Sequence, residues 1–92
     1  GKIILFIATL GDEAKKLGFD LLTKARAKGL SADMDHLGRS LKAQLKTADK
    51  LGAKQVYIIG EDELKKGRGI LKNMETAQQK EVAFDSLAGE LP

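Results

Sequence analysis

The sequence predicts an α/β fold, because buried strands alternate with amphipathic helices along the chain. Residues 3–8 and 56–59 are continuously apolar and rich in strand-forming side chains, which is typical of central strands covered on both faces. Between them, residues 12–28 and 38–53 repeat apolar side chains at helical spacing. The connections are short, and right-handed crossovers then give a parallel sheet with helices on both faces.

Size and composition define the broad class of the protein. The 92 residues suffice for one small domain, residues 1–92, and no linker or repeat marks a second one. The absence of cysteine excludes disulfides and thiolate metal sites, and no apolar run approaches the ~20 residues of a membrane span. We therefore expect a cytoplasmic protein without membrane association. The net charge of +3 is a mild basic excess, compatible with nucleic-acid binding.

The first predicted helix, residues 12–28, has recognisable ends. Asp12 and Glu13 are acidic residues suited to the positive end of a helix, and Gly29 closes the helix as a C-terminal cap. Its apolar face consists of Ala14, Leu17, Leu21, Leu22 and Ala25.

The second predicted helix has two opposite faces of different chemistry. It is preceded by residues 30–35, which alternate as a half-exposed strand does, and by a loop at 36–38. One face of the helix carries Leu41, Leu45, Ala48 and Gly52, and the opposite face carries Arg39, Lys42, Lys46 and Lys50. One face can pack on a sheet while the other presents cations to solvent, so this segment is a plausible surface for a polyanion.

The remainder of the chain changes character. Residues 61–67 are predicted to form a single helical turn. Residues 69–74 and 80–84 are predicted to form a β-hairpin around a turn at 75–79, and residues 85–91 a short closing helix.

No enzyme motif appears, since a nucleophile elbow, a Walker loop, a zinc pattern and a dinucleotide fingerprint are all absent. We therefore assign no catalytic and no metal-binding residue. His36 is either a general base oriented by a carboxylate or a polar loop residue. Asp33 and Asp35 are either a paired carboxylate site or solvated residues of an edge strand. The acids at 61–63 either attract a ligand at a strand end or begin a helical turn.

Several segments carry a family resemblance over nearly the whole chain. They are GRSLKAQLKTADKLGA at 38–53, IIGEDEL at 58–64, LKNMET at 71–76, QKEV at 79–82 and LGDEA at 10–14. Together they resemble the C-terminal anticodon-binding domain of histidyl-tRNA synthetase, a class IIa aminoacyl-tRNA synthetase. The resemblance implies a five-stranded mixed sheet, with three parallel strands plus a C-terminal hairpin, and three helices.

The resemblance also implies a function and a site. The chain would be a fragment of a longer synthetase, whose separate catalytic domain uses ATP and magnesium and forms a homodimer, so that no cofactor is expected in this domain. Its partner would be the anticodon loop of the histidine tRNA. In this family the first strand-to-helix turn and the turn entering the second helix approach the anticodon. These turns correspond to Thr9, Gly11, His36, Arg39 and Gln44, with Lys42 and Lys46 contacting phosphates.

Three points stay open. Gln44 lies near the edge of the apolar face, so it either bonds a base edge or satisfies backbone groups at the helix–sheet seam. The chain also resembles the tail of a regulatory paralogue that activates ATP phosphoribosyltransferase in histidine biosynthesis, which is the alternative function. Ala77 stands where the family often has glycine in the last hairpin turn. If that turn requires a positive φ, alanine costs on the order of 1 kcal/mol.

Overall fold

The computed structural model describes residues 2–92, which form strands and helices in alternation. The strands are β1 (Leu5–Thr9), β2 (Ala32–Met34), β3 (Gln55–Ile59), β4 (Arg68–Asn73) and β5 (Gln79–Ala83). The helices are α1 (Asp12–Ala27), α2 (Leu41–Lys50) and α3 (Glu61–Lys66), followed by the 3₁₀ helix Phe84–Glu90. The predicted closing helix is therefore present in the tighter 3₁₀ form. No helix within residues 2–92 is both long and apolar enough to cross a membrane.

The strands form one mixed sheet in the order β2-β1-β3-β4-β5. β1 pairs in parallel with β2 and with β3, whereas β4 is antiparallel to both β3 and β5. This confirms the predicted sheet of three parallel strands and a C-terminal hairpin. Because β1, β2 and β3 run in the same direction, their carboxyl ends, at Thr9, Met34 and Ile59, meet at one edge of the sheet.

The helices divide between the two faces of the sheet. α1, α3 and the 3₁₀ helix pack on one face, in a core that includes Leu5 and Ile7 of β1. α2 packs on the other face, where Ala48 belongs to a second core that includes Phe6 and Ala8. Successive side chains of β1 thus enter different cores, which explains why this strand is apolar throughout.

The second helix begins later than the sequence predicts. α2 starts at Leu41, and the hydroxyl of Ser40 accepts a hydrogen bond from Ala43 N at 3.2 Å as its N-cap. Gly38, two residues before the cap, has a φ of 68°, a left-handed conformation that glycine adopts without strain. Arg39 therefore lies in the loop that enters α2 and not on the helix itself, which corrects the predicted cationic stripe.

The hairpin turn between β4 and β5 requires a positive φ at Ala77. This residue has a φ of 64°, and its backbone N donates to Asn73 O at 2.8 Å. The side chain of Asn73 also accepts hydrogen bonds from Glu75 N and Thr76 N, so the turn is well bonded around the strained residue. Ala77 is therefore strained, because alanine here adopts a positive φ that favours glycine.

Candidate nucleic-acid interface

Two turns come together where the parallel strands end. One follows β1 and contains Gly11, and the other follows β2 and contains His36, and both residues are exposed. Lys15 Nζ on α1 donates to the backbone carbonyl of His36 at 2.8 Å, which ties the second turn to the helix that follows the first. The fold therefore brings together the two turns that the resemblance assigns to the anticodon.

A buried carboxylate closes the loop between β2 and α2. Asp35 Oδ1 accepts from Arg39 Nε at 2.8 Å, and its Oδ2 accepts from the backbone N of Arg39 at 2.9 Å. Arg39 Nη2 in turn donates to Thr47 Oγ1 on α2 at 2.9 Å. The side chain of Asp35 is only 1% exposed. It is therefore not a solvated edge residue, and the alternation of residues 30–35 was a misleading guide to its burial.

The ion pair sets the protonation of Asp35. Burial by itself raises the pKa of a carboxyl group, because it disfavours the charged form. The hydrogen bonds from Arg39 N and from its guanidinium, together with its positive charge, outweigh burial and hold the pKa of Asp35 below its ordinary value. Asp35 is thus ionised at neutral pH, and the loop is held by a charge-assisted pair.

Gln44 satisfies backbone groups in the interior. Its side chain is fully buried. Its Oε1 accepts from Thr9 N at 3.0 Å, and its Nε2 donates to Thr9 O at 2.8 Å and to Arg39 O at 2.7 Å. Both amide protons are therefore used, and no face of the amide reaches solvent. In this conformation Gln44 cannot contact a base edge, so the structure favours the second alternative, bonding at the helix–sheet seam.

Thr9 lies behind the surface as well. It is 5% exposed, and its backbone N and O are both bonded to Gln44. Its methyl group faces α1 so closely that a side chain at Gly18 would come within 2.6 Å of it. Thr9 and Gln44 therefore join the end of β1 to the entrance of α2. They can position the turns, whereas direct contact with a ligand falls to the exposed residues.

The exposed cations lie along α2 and the loop before it. Arg39, Lys42, Lys46 and Lys50 are all exposed, but Arg39 is paired with Asp35. Among residues 2–92, no carboxylate forms an ion pair with Lys42, Lys46 or Lys50. Lys50 is at the far end of α2, about 12 Å along the axis from Lys42. We define the strand-end surface as Gly11, His36, Arg39, Lys42 and Lys46.

Three exposed apolar side chains near this surface were not singled out from the sequence. Leu37 is 77% exposed in the loop after His36, Leu10 is 40% exposed in the turn after β1, and Phe19 is 57% exposed on α1. A signal for Phe19 was available, since it lies about 140° around the helix from Ala14 and so leaves the apolar face. Leu10 and Leu37 occupy turns, where periodicity gives no indication of burial.

Two further acidic residues that the sequence raised, Glu63 and Asp33, have structural partners. Glu63 Oε1 accepts from Gly60 N at 2.8 Å, which supports the view that residues 61–63 begin a helix. Asp33 Oδ1 accepts from Met34 N at 2.8 Å and lies 3.7 Å from His36 Nε2, so a carboxylate does face the histidine. Within the described part of the chain, no group of three or more His, Asp or Glu residues is arranged to hold a metal ion.

The sequence and the fold are those of a known domain family. The family model described as "Anticodon binding domain" matches residues 5–92. The chain belongs to the anticodon-binding domain family.

Its relatives include histidine–tRNA ligases. The chain is 48% identical to the histidine–tRNA ligase of Acetivibrio thermocellus over 87 residues, which are 95% of this chain and 21% of the relative. It is 51% identical to that of Desulfatibacillum aliphaticivorans over 83 residues, 90% of this chain and 20% of the relative. The chain thus spans about one fifth of the length of these relatives.

Solved structures agree with the sequence relatives. Apo histidyl-tRNA synthetase from S. aureus superposes with a TM-score of 0.93 at 38% identity, covering 99% of this chain and 27% of that one. The RNA-binding domain of threonyl-tRNA synthetase from Cryptosporidium parvum superposes with a TM-score of 0.84 at 13% identity, covering 96% and 22%. The second match shows a shared fold only. The family assignment confirms the resemblance drawn from the sequence.

Proposed function

We propose that this domain binds the anticodon loop of the histidine tRNA, as the recognition module of a histidine–tRNA ligase. The observation that carries the proposal is that two exposed lysines, Lys42 and Lys46, lie beside the two turns at the strand ends and form no ion pair within residues 2–92. Three of the relatives named above are histidine–tRNA ligases or histidyl-tRNA synthetases at 38–51% identity, and they support the choice of histidine among the tRNAs.

The mechanism divides between charge and shape. Lys42 and Lys46 would neutralise loop phosphates and fix the register of the RNA. Polar groups of the turns at Gly11 and His36 would then meet unstacked bases, since single-stranded loops expose their hydrogen-bonding edges. The bonds of Asp35 and Gln44 hold these turns in place before the RNA arrives, so that less conformational entropy is lost on binding.

The rest of the parent protein would carry out the reaction. Aminoacylation with ATP and magnesium, and dimerisation, would belong to the catalytic part, and this domain would need no cofactor of its own. A tRNA ligase of this kind would act in the cytoplasm. No observation favours the alternative of a regulatory paralogue that activates ATP phosphoribosyltransferase.

A matched pair of double variants tests the proposal. Lys42→Gln/Lys46→Gln removes two cations four residues apart from the strand-end surface. Lys24→Gln/Lys28→Gln removes two cations with the same spacing near the end of α1, both exposed and neither in an ion pair among residues 2–92. Arg39 is a poorer target, because its removal strands the buried charge of Asp35.

Binding of a fluorescent histidine-tRNA anticodon hairpin would be measured by anisotropy over a range of salt concentrations. The α2 pair should weaken binding about tenfold or more and reduce the slope of log K against log salt by about 1.4, or roughly 0.7 for each lost phosphate contact. The α1 pair should change affinity less than about twofold. Equal losses from both pairs would indicate general attraction of a polyanion, and no loss from either would refute the proposed surface.

A further inference from the structure

A cavity beside the strand-end surface remains unused by the proposed phosphate contacts. It lies between α1 and the edge strand β2 and has a volume of about 550 Å³. Pockets that bind small molecules usually have volumes of about 300–1,000 Å³. Its lining residues are Asp12, Lys15, Lys16, Phe19, Asp20, Met34 and His36.

Two of the lining residues, Phe19 and His36, carry rings that are exposed to solvent. Phe19 is 57% exposed, whereas Phe6 and Tyr57 are at most 1% exposed and Phe84 is half-buried, so Phe19 is the most exposed aromatic residue of the described chain. The side chain of His36 is 54% exposed. Met34 is 4% exposed and provides an apolar floor. The fold leaves both side chains more than half exposed, although burying Phe19 would favour folding.

The polar groups of the cavity are balanced in charge. Lys15 and Lys16 bring two positive charges, and Asp12 and Asp20 bring two negative ones. Lys15 is further occupied by the backbone carbonyl of His36 at 2.8 Å. A site of this composition offers little net attraction to a bare phosphate or to an acidic peptide. It suits an uncharged, flat ring whose edge carries both hydrogen-bond donors and acceptors.

From this geometry we infer that the cavity binds one unstacked nucleobase of the RNA, stacked on Phe19 and His36. The inference rests on the proposed function, since the RNA loop must first dock on the strand-end surface. His36 belongs to both the cavity and that surface, so a base leaving the docked loop has a short path into the cavity. Lysine and carboxylate groups at the rim can bond the base edge, as single-stranded RNA recognition generally requires.

The test is a cycle that combines a protein variant with a change in the RNA. Phe19→Ala removes the ring from an exposed helical position, where alanine is a good helix former. A series of anticodon hairpins, each with one loop base replaced by an abasic residue, removes the bases in turn. Leu51→Ala is the control, because Leu51 is an exposed apolar side chain, 37% exposed, at the far end of α2.

Phe19→Ala should weaken binding of the intact hairpin about five- to a hundredfold, the range expected for loss of one stacked base. One abasic hairpin should bind the unchanged protein with a similar loss and should lose nothing more with Phe19→Ala. The salt slope should stay the same, since no phosphate contact is removed. Leu51→Ala should bind like the unchanged protein.

The outcomes separate this inference from the proposed function. If the unchanged protein does not bind the hairpin, the proposed function fails. If it binds with the expected dependence on Lys42 and Lys46, but Phe19→Ala has no effect, only the base pocket is refuted. If Phe19→Ala weakens all abasic hairpins as much as the intact one, no single base occupies the cavity and the inference is again wrong. Far-ultraviolet circular dichroism confirms that each variant is folded.

Discussion

Replacing Gln44 by leucine should destabilise the protein strongly, although leucine is apolar and of similar size. The side chain of Gln44 is fully buried and bonds to Thr9 N, Thr9 O and Arg39 O at 2.7–3.0 Å. Leucine would fill most of the space and leave these three backbone groups without a partner. The substitution therefore tests whether this polar residue serves the interior or the ligand.

The magnitude follows from those three groups. Each buried polar group left unsatisfied costs about 1–3 kcal/mol, so the set costs about 3–9 kcal/mol. Arg39 O lies in a loop that water can reach, and we therefore expect a loss near the lower limit, about 3 kcal/mol. A chain of 92 residues has a total free energy of unfolding of roughly 5–14 kcal/mol. The change thus removes a large part of the stability.

Urea unfolding followed by circular dichroism measures the effect, with the midpoint expected to fall at unchanged slope. Gln79→Leu is the matched control, since Gln79 is exposed on β5 and should change stability by less than about 0.5 kcal/mol. A loss of less than about 1 kcal/mol from Gln44→Leu would refute the reasoning. Unchanged stability combined with weaker RNA binding would support the alternative hypothesis that Gln44 contacts a base.

Two further predictions concern the hairpin turn and the ion pair between Asp35 and Arg39. Ala77→Gly should stabilise the protein by about 0.5–1 kcal/mol in urea unfolding, because glycine relieves the strain at a φ of 64° and this gain exceeds its greater freedom in the unfolded chain. Destabilisation would show that the turn tolerates alanine without strain. The lowered pKa of Asp35 means that its stabilising effect is complete at neutral pH and is lost as the pH falls through the folded-state value. The stability difference between the unchanged protein and Asp35→Asn should therefore be largest at neutral pH and shrink below about pH 4, and a constant difference would contradict the assignment.

The sheet could be predicted because its signals are local and strong. Two continuously apolar runs define β1 and β3, and the helices between them repeat at helical spacing. Handedness then fixes the parallel half of the sheet. The strand pattern at residues 69–74 and 80–84 predicted the hairpin, and the family resemblance supplied the site turns. It also identified Ala77 as a residue in a position suited to glycine, and the observed φ agrees with that.

The polar interior could not be predicted, because burial of a charge depends on a partner that the pattern does not reveal. Asp35 is buried only because Arg39 folds back upon it, and the alternation of residues 30–35 predicted a solvated carboxylate. Arg39 has helical spacing relative to Lys42 and Lys46, yet α2 begins only after its N-cap Ser40, so Arg39 lies outside the helix. Gln44 is polar on an apolar face, and sequence alone leaves both of its roles open.

The exposed lysines and the buried polar residues have complementary roles. Exposed cations bind any polyanion, so Lys42 and Lys46 alone would give affinity without register. The turns supply shape, but a loop with Gly38 at a φ of 68° would lose much conformational freedom on binding if nothing held it. Asp35 bonds to Arg39 in the loop before α2, and Gln44 bonds to Thr9 before the turn after β1. Both turns are therefore ordered when the protein folds, before RNA binds. We therefore expect substitutions of Asp35 and Gln44 to affect RNA binding through stability and loop order. Substitutions of Lys42 and Lys46 should instead change the salt dependence of RNA binding.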